Sequence, residues 1–455
     1  QYEAMQALKA ATLQQLANAD AASNAADFFE HCVDRHGDAL CVSAVDHKAR
    51  YSFNELDAAA NRFAWWGLSA DVNLRPLDTV ALLMENRPEF LAITMGLAKI
   101  GVTIALLNTN LTGALLRHAV EVSGARVVIA SAVKSANWIS VGTELSRPVD
   151  VWWYAGEGAA IPSVPVDEGS VRNWKLDAER LAALPAARVG REARHGVDAR
   201  TPLYYIFTSG TTGPSKAAKF SHKRFIGAAV TWAGPSGLQK GDPYYITLPL
   251  YHGNAGVVAV APCYLLGNPI VLREKFSASN FFKDIREHNV STPSFSPLRV
   301  AIGNGLRADI WSLIQARFHI TQVVEHYGST EMPGDAILNY LNRPGSCGFL
   351  PAEVALAKST TGEGGVLVRY DVEADAVVRD SATGFCIPCV AGEVGEMIMR
   401  LPDGLYDGYV GDAATRRKLY EGVFEEGDRW WSSGDLLQTD ELGFFYFVDR
   451  AGDSF

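Results

Sequence analysis

Positive charge is what this chain has too little of. Lysine and arginine number 41 against 51 aspartates and glutamates, a formal net charge of −10. Gripping nucleic acid by its phosphates takes a basic surface, so general nucleic-acid binding is excluded. A single bound nucleotide is not, because it needs only local charge. Cysteine is sparse as well. Cys32, Cys41, Cys263, Cys347, Cys386 and Cys389 are scattered over 455 residues, which is no disulfide framework for so long a chain. "CIPC", Cys386 to Cys389, is a lone C-x-x-C without a second pair at zinc spacing, and both thiols read as small apolar fillers in β structure. An unbroken apolar run of membrane length is also missing. "FLAITMGLAKIGVTIALL", Phe90 to Leu107, carries Lys99 and two glycines. "GNAGVVAVAPCYLLGNPIVL", from Gly253, is interrupted by Pro262, Gly267 and Pro269. Both read as helix, turn and strand. The chain opens on Gln1 without a visible secretory signal, and it holds no internal repeat and no low-complexity tract.

What is abundant is apolar residue, 48% of the chain, enough for a large core. Helix and strand patterns alternate from about residue 50. "SFNELDAAANRFAWWGLSA" has helical spacing of Leu56, Ala60, Phe63 and Ala64 behind a capping Ser52. "DTVALLME" reads as a buried strand, "RPEFLAITMGLAKIG" as a helix, "VTIALLN" as a strand, "LTGALLRHAVEVSG" as a helix and "ARVVIA" as a strand. This rhythm predicts a parallel sheet covered on both faces. It resumes after Lys240 with "PYYITLPL", "PIVLRE" and "HITQVVEHYG". Residues 155–200 are mixed in Ala, Pro, Gly and Arg with weak periodicity, and are expected to be a long surface excursion. From about Gly345, short apolar runs between turn residues predict a small antiparallel barrel or sheet.

The stretch with most chemistry is "YYIFTSGTTGPSKAAKFSHKRF", Tyr204 to Phe225. Gly210 and Gly213 let a backbone approach a ligand closely. Thr208, Ser209, Thr211 and Thr212 add hydroxyl donors to backbone N–H groups, and Lys216 adds one point charge. Together they suit a polyphosphate. Seven Ser, Thr or Gly residues within nine positions are more than a plain turn needs. A Walker loop is excluded: Gly213 and Lys216 are not adjacent, and "AAKFSH" reads as a strand where a Walker loop opens into a helix.

Read together, "YIFTSGTTGPSK", "LPLYHGNAG", "FSASNFF", "GNGLRADIW", "YGSTE", "VRYDVE", "DGYV" and "SGDLLQTDELGFFYFVDRAGDSF" resemble, in order, the motifs of the adenylate-forming superfamily. Within it they are most similar to the fatty acid transport protein and very-long-chain acyl-CoA synthetase family. The resemblance covers most of the chain. It implies an α/β fold: two αβ-layered subdomains with largely parallel sheets, at about 40–200 and 201–344, and a small antiparallel β-barrel subdomain at 345–450. Residues 1–450 would form one large adenylation domain. Residues 451–455 would begin a hinge near Gly452 and Asp453, leading to a small C-terminal domain that these residues do not include.

The implied chemistry is activation of a long or very long fatty acid by ATP through an acyl-adenylate, followed by thioester formation with coenzyme A. Position by position, Thr208, Ser209, Gly210, Thr211, Thr212, Gly213 and Lys216 hold the pyrophosphate. Tyr327 stacks on adenine, with Gly328 and Ser329 beside it. Thr330 and Glu331 face the phosphate and its Mg²⁺. Gly303, Asn304 and Gly305 line the adenine pocket, Asp435 and Arg450 take the ribose, and His252 stands near the substrate carboxylate. Taken singly these residues have plainer readings: Glu331 as an exposed loop carboxylate, Asp435 as an Asx turn, "GNG" as a turn and His252 as a structural histidine.

Three departures from the family pattern bear on this. Ser215 stands between Pro214 and Lys216, where the family usually has proline directly before the lysine. "REHNVSTPSFSPLRVAIGNG" is short of a strand and helices that help to wall the acyl pocket, around residues 291–298; omitted residues are favoured over a true deletion, which should break the sheet. The chain stops at Phe455, ahead of the domain that carries the family's catalytic lysine. Alternatives left open are a bile or aryl acid as substrate, a carrier-protein thiol as acceptor, and a non-enzymatic role in fatty acid uptake. The expected location is cytoplasmic, with peripheral membrane contact and a homodimer both open.

Overall fold

The computed structural model describes residues 2–20, 22–141, 145–156, 169–208, 214–234, 237–288, 298–334, 336–351, Val354, 365–401 and 406–451. The chain divides into two compact units. The first comprises Gln1–Gly234 with Leu238–Ser291, and the second Pro235–Gly237 with Thr292–Phe455.

A seven-stranded sheet forms the centre of the first unit. Its order is Val171–Leu176, Val149–Tyr154, Val127–Ser131, Thr79–Leu83, Thr103–Leu106, Pro202–Thr208 and Lys216–Ser221. Neighbours run parallel except the last two, which are antiparallel. Thr79–Leu83 and Thr103–Leu106 read as continuous apolar runs because they are buried on both faces. The predicted helix forms as Phe53–Leu68, with Ser52 and Glu55 making a reciprocal capping box. It crosses the buried helix Pro88–Ala98 so closely that a Cβ on Gly96 would lie 2.3 Å from the Ala60 carbonyl oxygen. A second sheet has the order Tyr244–Ile246, Ile270–Leu272, Leu40–Ala44 and Arg50–Ser52.

Because Ile104 pairs with Tyr204, the boundary expected at 200/201 falls inside one sheet, and residues 201–234 belong with the first unit. The end of the expected surface excursion is mostly exposed, but Arg194 is not. Arg194 is 4% exposed and donates to Asp27 at 2.7 Å, to Glu30 at 3.0 Å and to the Lys99 carbonyl at 3.2 Å. The Lys99 ammonium, itself fully buried, contacts Glu30 and Asp57, each at 2.7 Å. Asn61 and Trp65 donate to the carbonyls of Ala186 and Ala187. Leu181 and Val189 join the core, and ion pairs and backbone hydrogen bonds that leave no hydrophobic periodicity hold the rest of the segment. Among the described residues no helix is long and apolar enough to cross a membrane.

The second unit contains a three-stranded sheet in which Gln322–Tyr327 lies between Val300–Gly303, parallel, and Ile337–Asn339, antiparallel. The expected small antiparallel unit takes the form of a seven-stranded sheet. It runs Gly348–Phe349, Phe444–Arg450, Arg429–Thr439, Val394–Arg400, Gly365–Asp371 and Ala376–Val377, with Leu419–Glu421 also pairing onto Arg429–Thr439.

One buried histidine makes the first unit sensitive to acid. His222 is 1% exposed, and its Nδ1 accepts the N–H of Ala25 at 3.0 Å. Burial pushes its pKa from 6.5 down to about 4. Between those values the unfolded chain binds the extra proton, so stability present above pH 6.5 is lost as pH falls toward about 4. The loss attributable to His222 is on the order of 3 kcal/mol. Urea unfolding across this range should therefore show stability falling with pH, and His222→Gln should reduce the slope.

Candidate functional site

In the first unit Thr208 and Lys216 are cross-strand partners at the ends of two antiparallel strands. The hydroxyl-rich loop is thus carried between fixed ends, and "AAKFSH" enters a strand as its sequence predicts. Ser209, Gly210, Thr211, Thr212 and Gly213 lie outside the described residues, as do most of the expected short segment at 291–298 and the hinge residues Gly452 and Asp453. His118, on helix Gly113–Ser123, lies 3.1 Å from the Ser215 carbonyl through Nε2. A carbonyl only accepts, so that nitrogen carries the proton. His252 is exposed, with its ring 4.7 Å from that of Tyr251. It precedes the wide π-helical turn Asn254–Ala259, where a Cβ on Gly256 would come within 2.2 Å of the Leu250 carbonyl oxygen. Turns of this kind often mark functional positions.

The second unit gathers several expected residues. Tyr327 ends its strand nearly buried, and its hydroxyl donates to Asp435 Oδ2 at 2.9 Å. Asp435 faces Arg450 across two antiparallel strands, with Arg450 Nε 3.7 Å from Asp435 Oδ1. Burial raises the pKa of the Asp435 carboxyl; the Tyr327 hydrogen bond and the Arg450 and Lys418 charges pull it down, while the Glu331 charge pushes it up. Glu331 has a buried Oε2 that accepts no hydrogen bond from the described residues. Leaving a buried anionic oxygen without a donor is costly. Mg²⁺ prefers such hard oxygens and often keeps substrate phosphates in its shell, so this carboxylate fits that ion. Half-buried Gly328 and exposed Ser329 follow Tyr327, and half-buried Thr330 sits with Glu331 in a turn closed by the Met332 N–H donating to the Ser329 carbonyl.

Gly303 ends the neighbouring parallel strand, Asn304 is exposed, and Gly305 bends back at φ +92°. Two residues that sequence reasoning passed over hold this turn. Glu325 accepts the N–H of Gly305 at 2.9 Å and of Leu306 at 2.8 Å. His326 Nδ1 meets the Gly303 carbonyl at 2.8 Å, and burial pushes its pKa to about 4. The available signal was "EH" inside an otherwise apolar strand, since buried polar residues need a partner.

Residues 29–297 match the family model for AMP-binding enzyme. The chain belongs to the AMP-binding enzymes. Within that family it is 34% identical over 454 residues to long-chain fatty acid transport protein 1 of Homo sapiens, covering 94% of this chain and 67% of that protein. The N-terminal domain of FACL13 from Mycobacterium tuberculosis, solved with an inhibitor bound, has TM-score 0.70 and 22% identity over 94% of this chain and all of that one. ATP-bound MatB from Rhodopseudomonas palustris has TM-score 0.68 and 20% identity over 94% of this chain and 79% of that one. The fold is accordingly that of the N-terminal domain of adenylate-forming enzymes: mixed α/β, with parallel sheets and one antiparallel sheet.

For this AMP-binding enzyme the clamp on Gly305 sets an expectation. Glu325→Ala strands two backbone donors and should cost on the order of 1–3 kcal/mol. The denaturant midpoint should fall with an unchanged m-value, and Glu325→Gln should recover part of the loss.

Proposed function

We infer that this AMP-binding enzyme activates a long-chain fatty acid with ATP and transfers it to coenzyme A. The observation that carries the reading is the cluster in the second unit, where Tyr327, Asp435 and Arg450 converge and Glu331 keeps an oxygen with no partner among the described residues. The name of the human relative, a long-chain fatty acid transport protein, supports the acyl class, and the ATP-bound neighbour supports the nucleotide.

In the first step a carboxylate oxygen of the fatty acid bonds to the α-phosphorus while the bond to pyrophosphate breaks. In the second the coenzyme A sulfur bonds to the acyl carbon and AMP leaves. Asp435, ionised, accepts hydrogen bonds from the ribose hydroxyls, and Arg450 holds charge and geometry beside it. Tyr327 presents an aromatic surface for adenine, with Gly303, Asn304 and Gly305 forming the pocket wall. Thr330 donates to phosphate. Glu331 would hold Mg²⁺, which neutralises phosphate charge when bound. In the first unit Thr208, Ser209, Gly210, Thr211, Thr212, Gly213 and Lys216 receive the departing pyrophosphate by placement and charge. His252 orients the fatty acid carboxylate.

Two variants test the reading. Lys216→Ala removes a charge-assisted contact worth on the order of 1.5–3 kcal/mol, so fatty-acid-dependent pyrophosphate release should slow by about 10- to 100-fold with the fold intact. An unchanged rate would take the loop out of the mechanism. Asp435→Ala should weaken ATP binding and leave fatty acid binding as it was, because only the nucleotide has ribose hydroxyls. Equal weakening of both ligands would make Asp435 a structural turn residue instead.

A further inference from the structure

The backbone just ahead of Asp435 is irregular. Residues 396 and 398 pair with 436 and 432, so the strand Arg429–Thr439 carries extra residues at this point and bulges. Bulges of this kind re-aim side chains near functional sites. Gly434 sits in the bulge at φ +74°, the left-handed region that favours glycine.

The polar groups of this bulge are held from several directions. The Gly434 N–H donates to Glu396 Oε1 at 3.0 Å, and its carbonyl accepts the N–H of Ala451 at 3.0 Å. The Ser433 carbonyl accepts Lys418 Nζ at 2.6 Å, and the Ser433 hydroxyl oxygen accepts the Asp435 N–H at 3.0 Å. Glu396 is the deepest of these groups, only 1% exposed. Its Oε1 also accepts the Ser432 hydroxyl, and its Oε2 accepts the Tyr420 hydroxyl at 2.9 Å. A well-packed apolar side chain at such a place is often no less stable than a buried charge. Stability alone therefore gives little reason for a carboxylate here, whereas an acceptor for the bulge N–H gives a specific one.

We propose that Glu396 is a positioning residue for nucleotide binding, which fixes the bulge through the Gly434 N–H and thereby aims the Asp435 carboxylate. The inference rests on Asp435 being the ribose contact. Glu396 itself touches no substrate. Glu396→Gln keeps an acceptor oxygen for Gly434 and can still pair with Tyr420; Glu396→Leu fills the space and offers no acceptor.

The test measures ATP and fatty acid dissociation constants by calorimetry on the full-length protein, with thermal melting to establish folding. Glu396→Leu should weaken ATP roughly tenfold, with fatty acid binding unchanged and Glu396→Gln within about twofold of the parent. In an Asp435→Ala background the Glu396→Leu effect on ATP should vanish, because the two residues act through one contact. If Glu396→Leu does not fold, Ser432→Ala, which removes one hydrogen bond to Oε1, should still weaken ATP selectively. The proposal is overturned by a folded Glu396→Leu variant with parental ATP affinity, by equal weakening of both ligands, or, in the fallback, by unchanged ATP binding in Ser432→Ala. Unchanged ATP binding in Asp435→Ala alone would instead overturn the ribose assignment on which the inference rests.

Discussion

The hydrogen bond from the Tyr327 hydroxyl to the Asp435 carboxylate is the contact on which the second unit's site depends. The two residues come from different sheets, one mainly a scaffold for the "GNG" turn and the other antiparallel and bulged. Without a polar link the two edges could pack at many small offsets, since apolar contact is not directional. A 2.9 Å bond between a nearly buried phenol and a half-buried carboxylate selects one of them. Glu325 and His326 on one side and Ser433 and Lys418 on the other then hold the backbones that present the pair.

Charge near this pair is arranged with some tension. Asp435 and Glu331 repel, burial raises the Asp435 pKa, and Arg450 answers from 3.7 Å with a half-exposed guanidinium. In the first unit Lys99 and Arg194 are buried among Asp27, Glu30 and Asp57, with hydrogen bonds for both cations. Most of that network's polar atoms are paired within it, though Arg194 Nε is not; Glu331 Oε2 likewise has no donor among the described residues.

Much of the fold was legible because its signals are local or periodic. Ser52 and Glu55 announce a capped helix, Thr79–Leu83 reads as a strand buried on both faces, and the loop between Thr208 and Lys216 stands out by composition. The boundary at 200/201 was misplaced because strand order is a non-local property: nothing around Tyr204 names Ile104 as its partner. Arg194 was hidden for a related reason, since ion pairs between residues 167 positions apart leave no periodic trace. Tyr327, Asp435 and Arg450, named from their motifs, lie together in the structure. Those acting behind them, Glu325, His326 and Glu396, were missed because one polar residue in an apolar strand looks the same whether it supports a site or only the core.

The cross-strand pair of Thr208 and Lys216 has a consequence for loop entropy. Bringing the ends of a flexible loop together carries a cost that grows slowly with its length. Here the sheet meets that cost when the chain folds, because the two ends are neighbouring rungs of one ladder. The Lys216 backbone is thus stationed beside Thr208 by the sheet itself, at no later entropic cost.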